Sequence, residues 1–105
     1  MQPYIQVKFE RMARDPSVEA AVDRWVTRLE SLSAPIRDAF IGIEQTGRRG
    51  TAVSLKLELA DGSTSKATTS REDIYVAVAD AFRAIRRQLL ERGAAARPAW
   101  LGLAG

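Results

Sequence analysis

The chain of 105 residues has the length of one domain, and its 46% hydrophobic and 28% charged residues are the composition of a folded globular one. It contains no Cys and no His, which excludes a disulfide scaffold, thiolate metal sites, a Cys nucleophile and the commonest general base. The formal net charge of +3 is a mild basic excess, compatible with an anionic partner; all but three of the 16 basic residues are Arg, a bias that phosphate recognition and genome composition both produce.

The first residues carry no apolar leader, and no stretch approaches the roughly 18 apolar residues of a membrane span, so a cytoplasmic location is expected. From Ile5 to Glu10 apolar and polar residues alternate, which predicts a half-buried strand with Ile5, Val7 and Phe9 on one side. Asp15-Pro16 opens a helix, Asp as the cap and Pro in the first turn. Val18, Val22, Trp25, Leu29 and Leu32 form its apolar stripe, and it should end between Ser31 and Ser33, ahead of Pro35.

Ile36 to Glu44 is a second strand with Ala39, Ile41 and Ile43 inward, and Gln45 to Gly50 reads as a loop tipped by Arg48 and Arg49. Thr51 to Leu59 is the clearest strand, with Val53, Leu55, Leu57 and Leu59 on one face. A hairpin follows at Asp61-Gly62, and Ser63 to Thr69 returns. Parity chooses the loop. Two residues would bury Lys66 beside Leu57, whereas three, Ala60 to Gly62 with Gly62 left-handed, turn Ser65, Ala67 and Thr69 inward and Lys66 outward.

The last helix is expected to begin at Ser70, with Glu72 and Asp73 in its first turn, and to stop at Gly93. Its buried stripe is Ile74, Ala77, Val78, Ala81, Ile85 and Leu89, with Tyr75 and Phe82 at the border. The order β-α-β-β-β-α is that of an α+β domain, a four-stranded sheet with two helices packed on one face. The domain spans residues 1–93, and residues 94–105 are a short Ala/Gly-rich tail carrying Trp100, Leu101 and Leu103.

No catalytic constellation emerges. Glu72 and Asp73 are adjacent and complement the helix dipole, and the Ser and Thr residues near 63–70 have no base beside them. No enzyme activity, metal, cofactor or small-molecule substrate is expected. The basic residues carry more information. Arg83, Arg86 and Arg87 lie opposite the apolar stripe at spacings of three and four, so their guanidinium groups share a face. Asp80 and Glu91 flank that face on one side. On the first helix Arg24 and Arg28 take one flank, while Glu19, Asp23 and Glu30 take the other. The open sheet face carries Lys8, Lys56 and Lys66 with one aromatic, Phe40, fewer than a stacking surface for single-stranded RNA usually shows.

The run Asp73, Tyr75, Ala77, Asp80, Arg87-Gln88-Leu89 resembles the last-helix motif of the ribosome hibernation promoting factors, also called ribosome-associated inhibitors or sigma-factor modulation proteins. The helix start at Pro16, the hairpin glycine Gly62 and the element order match as well, over Ile5 to about Arg92. The resemblance implies a non-enzymatic inhibitor of translation. It would bind ribosomal RNA of the small ribosomal subunit in the channel used by messenger and transfer RNA, in starved or stationary cells. Arg87 takes its RNA-contacting role from the motif, and Lys66 sits where relatives often carry a basic residue after the hairpin. Arg83 and Arg86 share the face of Arg87, whereas Arg24, Arg28, Arg48 and Arg49 join by charge alone. Leu90, Glu91, Arg92 and Gly93 stand where many relatives have a Lys-rich run, and Ala84 where Lys is frequent, so the basic surface is thinner here. The chain resembles a short form, a monomer or weak dimer. The alternative is the same fold acting as a protein-interaction module through the open sheet face or the tail.

Overall fold

The computed structural model describes residues 3–31 and 35–95. Six elements follow in the order β1 (Tyr4–Glu10), α1 (Pro16–Glu30), β2 (Ile36–Thr46), β3 (Gly50–Leu59), β4 (Thr64–Arg71) and α2 (Ile74–Ala95). The four strands make one sheet in the order β1-β2-β3-β4, with β1 and β2 parallel and the other neighbours antiparallel. Both helices lie on the same face, as expected. α2 covers β3 and β4, α1 covers β2, and the helices touch each other. The core runs between sheet and helices, from Val18, Val22, Val26 and Leu29 through Ile41, Leu55 and Leu57 to Val78, Phe82 and Ile85.

Asp15 caps α1 as expected, its carboxylate accepting from the backbone N–H of Ser17 at 3.0 Å and of Val18 at 3.4 Å, with Pro16 next in line. Val26 takes the central place in the stripe, and Trp25 sits half-buried at its margin. Leu32 lies outside the described residues, as do Trp100 and most of the tail.

The hairpin between β3 and β4 has the register that parity demands. Leu57 pairs with Ser65 and Lys56 with Lys66, Gly62 adopts φ 89, and Leu59 donates to the Ser63 carbonyl at 2.9 Å. Lys66 is exposed on the face away from the helices.

Four expectations are corrected. Gln45 to Gly50 is mostly strand: Gln45 and Thr46 pair with Thr51 and Gly50, leaving only Gly47, Arg48 and Arg49 in the turn. Polar residues continue a ladder at its solvent end because backbone pairing needs no apolar side chain. Gly47 has φ 62, and a Cβ on Gly50 would stand 2.7 Å from the Thr46 carbonyl oxygen, so this close reversal needs both glycines. Second, the cap of α2 is Asp73 rather than Ser70. Its carboxylate accepts from Tyr75 N–H at 2.7 Å and Val76 N–H at 3.2 Å, while Ser70 and Arg71 stay in β4 opposite Ala52 and Thr51.

Third, α2 passes through Gly93 to Ala95. A glycine in a helix costs only about 1 kcal/mol, and the turn before it is anchored by Arg92, which donates to the Thr64 carbonyl at 2.6 Å. Fourth, Phe82 is not at the border. It is fully buried, because α1 covers that side of α2, whereas Tyr75 is 48% exposed near the helix start.

β4 is an edge strand, and α2 covers its outer rim. Gln88 donates to the Lys66 carbonyl at 2.8 Å and Arg92 to that of Thr64, two acceptors that would otherwise face solvent.

Candidate nucleic-acid interface

The two helices bring together arginines that the sequence separates by more than fifty positions. Trp25 of α1 stacks on Phe82 of α2 with ring centroids 5.6 Å apart and planes 6° from parallel. The same indole carries two guanidinium groups: Arg28 lies 5.4 Å and Arg83 6.0 Å from its centroid. Both distances are within the range of a cation–π contact. Trp25 is therefore the element that sequence reasoning missed. Its position in the apolar stripe marks it as core, and only the packing of one helix on the other shows that it gathers cations.

Around this centre the exposed side chains of Arg24, Arg28, Arg83, Arg86 and Arg87 form one basic field across both helices. Arg83, Arg86 and Arg87 line an open hollow with Leu90 and Glu91, and Leu90 is itself 49% exposed. Asp80 neutralises part of the field, accepting from Arg71 at 3.0 Å and from Arg83 at 3.3 Å. Among the described residues, Arg24, Arg28, Arg86 and Arg87 have no carboxylate partner.

Not every expected contact lies in this field. Arg48 and Arg49 sit at the β2–β3 turn, where they line a second hollow with Met12, Asp15, Glu72 and Ile74. That hollow is at the starting ends of both helices, roughly 13 Å along α1 and α2 from Trp25 and Arg83 at about 1.5 Å per residue. The Lys66 backbone touches α2 through Gln88, yet its side chain leaves from the opposite face of the sheet. The expected acidic flank of α1 is thinner than its composition suggests, because Glu19 is held by Arg14, whose guanidinium draws the Glu19 carboxyl below the usual range.

The open sheet face has its own chemistry. Phe40 is joined there by a second aromatic: β1 begins at Tyr4, whose ring meets Phe40 edge-on at 6.3 Å, with the Lys56 ammonium 5.8 Å from the Phe40 centroid. Tyr4 is 58% exposed. The cations here are largely paired: Lys8 with Glu10 at 3.3 Å, Lys56 with Glu58 at 3.3 Å, and Arg37 with both Asp38 at 3.0 Å and Glu58 at 2.7 Å. Hydrogen bonds from Arg37 and then Lys56 pull the Glu58 carboxyl below its ordinary value. Among the described residues, no acidic cluster is arranged to hold a metal ion, and no helix is long and apolar enough to cross a membrane.

A protein-family model described as sigma 54 modulation protein / S30EA ribosomal protein matches residues 5–94. Comparison with curated proteins by sequence gives no match. A ribosomal subunit interface protein from Coxiella burnetii superposes with a TM-score of 0.73 at 20% identity, covering 87% of this chain and 98% of its own. The N-terminal domain of Protein Y from Thermus thermophilus gives 0.72 at 16% identity, covering 82% and 94%. These two likenesses establish the shared fold. The family match spans the sheet, both helices and the arginine field, so the chain belongs to the sigma 54 modulation protein / S30EA ribosomal protein family of ribosome-associated factors.

Proposed function

We propose that the protein is a hibernation factor: it binds ribosomal RNA of the small subunit in the messenger and transfer RNA channel and blocks translation under stress. The observation that carries this reading is the basic field centred on Trp25, in which Arg24, Arg28, Arg86 and Arg87 lack carboxylate partners among the described residues. Like charges at helical spacing repel, and a row of phosphates relieves that repulsion. Arg83, Arg86 and Arg87 make the central contacts, with Arg24 and Arg28 beside them. Arg48 and Arg49 at the β2–β3 turn, and Lys66 on the open sheet face, are outlying contacts reached by other RNA segments. Inhibition is steric: the domain occupies space that messenger and transfer RNA need. No bond is made or broken, no cofactor takes part, and the site of action is the cytoplasm, where ribosomes are.

The test is co-sedimentation with small ribosomal subunits across a salt series. Affinity should fall steeply with ionic strength, because each neutralised phosphate releases counterions. Replacing Arg83, Arg86 and Arg87 together by Ala should cost several kcal/mol of binding, at roughly 1–2 kcal/mol per charged hydrogen bond, and leave folding nearly unchanged. Salt-independent binding, or full binding by the triple variant, removes this surface from the reading.

Tyr4, exposed beside the half-buried Phe40, favours a second reading, a protein contact through the open sheet face. It predicts binding that tolerates both salt and the triple Arg change but is lost on replacing Tyr4.

A further inference from the structure

The two edges of the sheet are unlike. The rim of β4 is covered by Gln88 and Arg92, but no described side chain or backbone group bonds to the outer rim of β1. Which β1 groups face outward follows from the register. Leu59 donates to Ser63, so the odd-numbered residues of β3 and β4 exchange bonds with each other. Even-numbered β3 residues then face even-numbered β2 residues, as Lys56 faces Phe40. That leaves Ala39, Ile41 and Ile43 of β2 directed at β1. In a parallel ladder such residues bond to the neighbours of their partners, so Ile41 bonds to Gln6 and Lys8 rather than to Val7. Ile5, Val7 and Phe9 consequently direct their N–H and C=O groups away from the sheet.

β1 is also self-complementary. Laid antiparallel on a second copy about Val7, it pairs Val7 with Val7 and Ile5 with Phe9, all with outward backbone groups. Between them Gln6 meets Lys8 and Tyr4 meets Glu10. Apolar residues thus face apolar ones under the helices, and polar residues face polar ones on the open side without opposing like charges. Pro3 precedes the strand and Arg11 leaves it at φ 59, so these seven residues form a segment bounded at both ends. Ile5, Val7 and Phe9 are only partly buried in the single chain, and Tyr4 is largely exposed.

We propose that β1 is a self-association edge through which two copies join in antiparallel β1–β1 pairing about Val7, giving one continuous sheet. The pairing is weak and is strengthened by salt. Trp25 and Arg28 mark the flank of α1 that faces α2, so Asp23 and Glu30 lie on the other flank, above the β1 edge. In the dimer these carboxylates approach those of the second copy. Raising salt from about 0.05 M to about 0.5 M shortens the screening length and relieves that repulsion. The response is opposite in sign to that of phosphate binding, so the two activities are separable in one titration.

The test is sedimentation equilibrium of the purified full chain at high micromolar concentration in both salts. The weight-average mass should rise from the protomer value of 11.5 kDa toward twice that, and further at high salt. Gln6→Glu sets a carboxylate opposite Lys8 of the second copy and should tighten the dimer roughly threefold to tenfold, whereas Gln6→Lys should weaken it by a similar factor. Asp23→Asn should tighten it at low salt and change little at high salt. Val7→Pro removes an outward N–H that the β2 ladder does not use, so the circular dichroism spectrum should persist while the dimer is lost. A protomer mass at every concentration and salt overturns the proposal, as does a dimer indifferent to both Gln6 changes. The Gln6 variants keep the test decisive even if Val7→Pro fails to fold. None of these outcomes depends on ribosome binding.

Discussion

Both broad surfaces of the domain carry cations, and they use them differently. On the open sheet face Lys8, Lys56 and Arg37 each sit within 3.3 Å of a carboxylate, and Lys66 is the one lysine there without such a partner among the described residues, so most of the charge is matched within the molecule. Of the five arginines on the helix face only Arg83 finds one among the described residues, and Trp25 carries Arg28 and Arg83 on its ring. A count of basic residues does not separate these surfaces. What separates them is geometry: strand neighbours on one face place Glu58 between Arg37 and Lys56, whereas on the helix face Asp80 reaches Arg83 and leaves Arg24, Arg28, Arg86 and Arg87 without a carboxylate partner among the described residues. A surface whose charges are mostly matched internally has few to offer a partner, and one whose charges are left over has more.

The strongest way to break the contrast is to remove what holds the helix face together. Phe82→Ala should cost about 3–5 kcal/mol in denaturant unfolding, because it empties a fully buried ring site beneath Trp25. RNA binding should fall with it, even under conditions where the variant remains folded, since Arg28 and Arg83 lose their shared platform. Unchanged affinity in the folded variant would show that the stack does not organise the field.

Charge reversal compares the faces directly. Arg86→Glu with Arg87→Glu should weaken RNA binding by roughly 3 kcal/mol or more at low salt, from two lost charge-assisted bonds and new repulsion. Lys8→Glu with Lys56→Glu makes the same change in net charge and should have a much smaller effect. Equal losses would mean that net charge, not position, governs affinity. Asp80→Asn sharpens the contrast from the other side: it releases Arg83 and should tighten RNA binding a few-fold at low salt, an effect that vanishes at high salt.

The smallest effect belongs to the sheet face. The Glu58 carboxyl in the folded state titrates below its usual 4.5, so its contribution to stability is present above that pH and is lost as the pH falls through the folded value. The urea midpoint of the protein should therefore drop more steeply below about pH 4.5 than that of Glu58→Gln; identical slopes would remove Glu58 from the account.

The elements that could be read from the residues alone are those in which two signals agree. Alternation through Val53 to Leu59 and the cost of burying Lys66 both demand the three-residue loop, and Gly62 supplies its left-handed residue. Where one signal has competitors, the residues alone do not decide. Ser70 and Asp73 are both good caps, and only the continued pairing of Ser70 with Ala52 decides between them. Arg83, Arg86 and Arg87 were visible because their proximity follows from the turn of a single helix. The approach of Arg28 was not, because it depends on how α1 packs on α2. Tyr4 escaped because alternation alone does not mark the first residue of a strand.

Gln88 sits beside Arg87 and faces the other way, with its amide fastened to the Lys66 carbonyl of β4. Together with Arg92, it acts as a set-screw on the rotational phase of α2. A guanidinium carried roughly 6 Å from the helix axis moves about 2 Å if the helix turns by about 20°, which is enough to carry a donor out of hydrogen-bond range. The azimuth of the arginines is therefore fixed before any partner arrives, by a neutral side chain and a strand carbonyl on the far side of the helix. Little rotational freedom of α2 is left to be lost on binding.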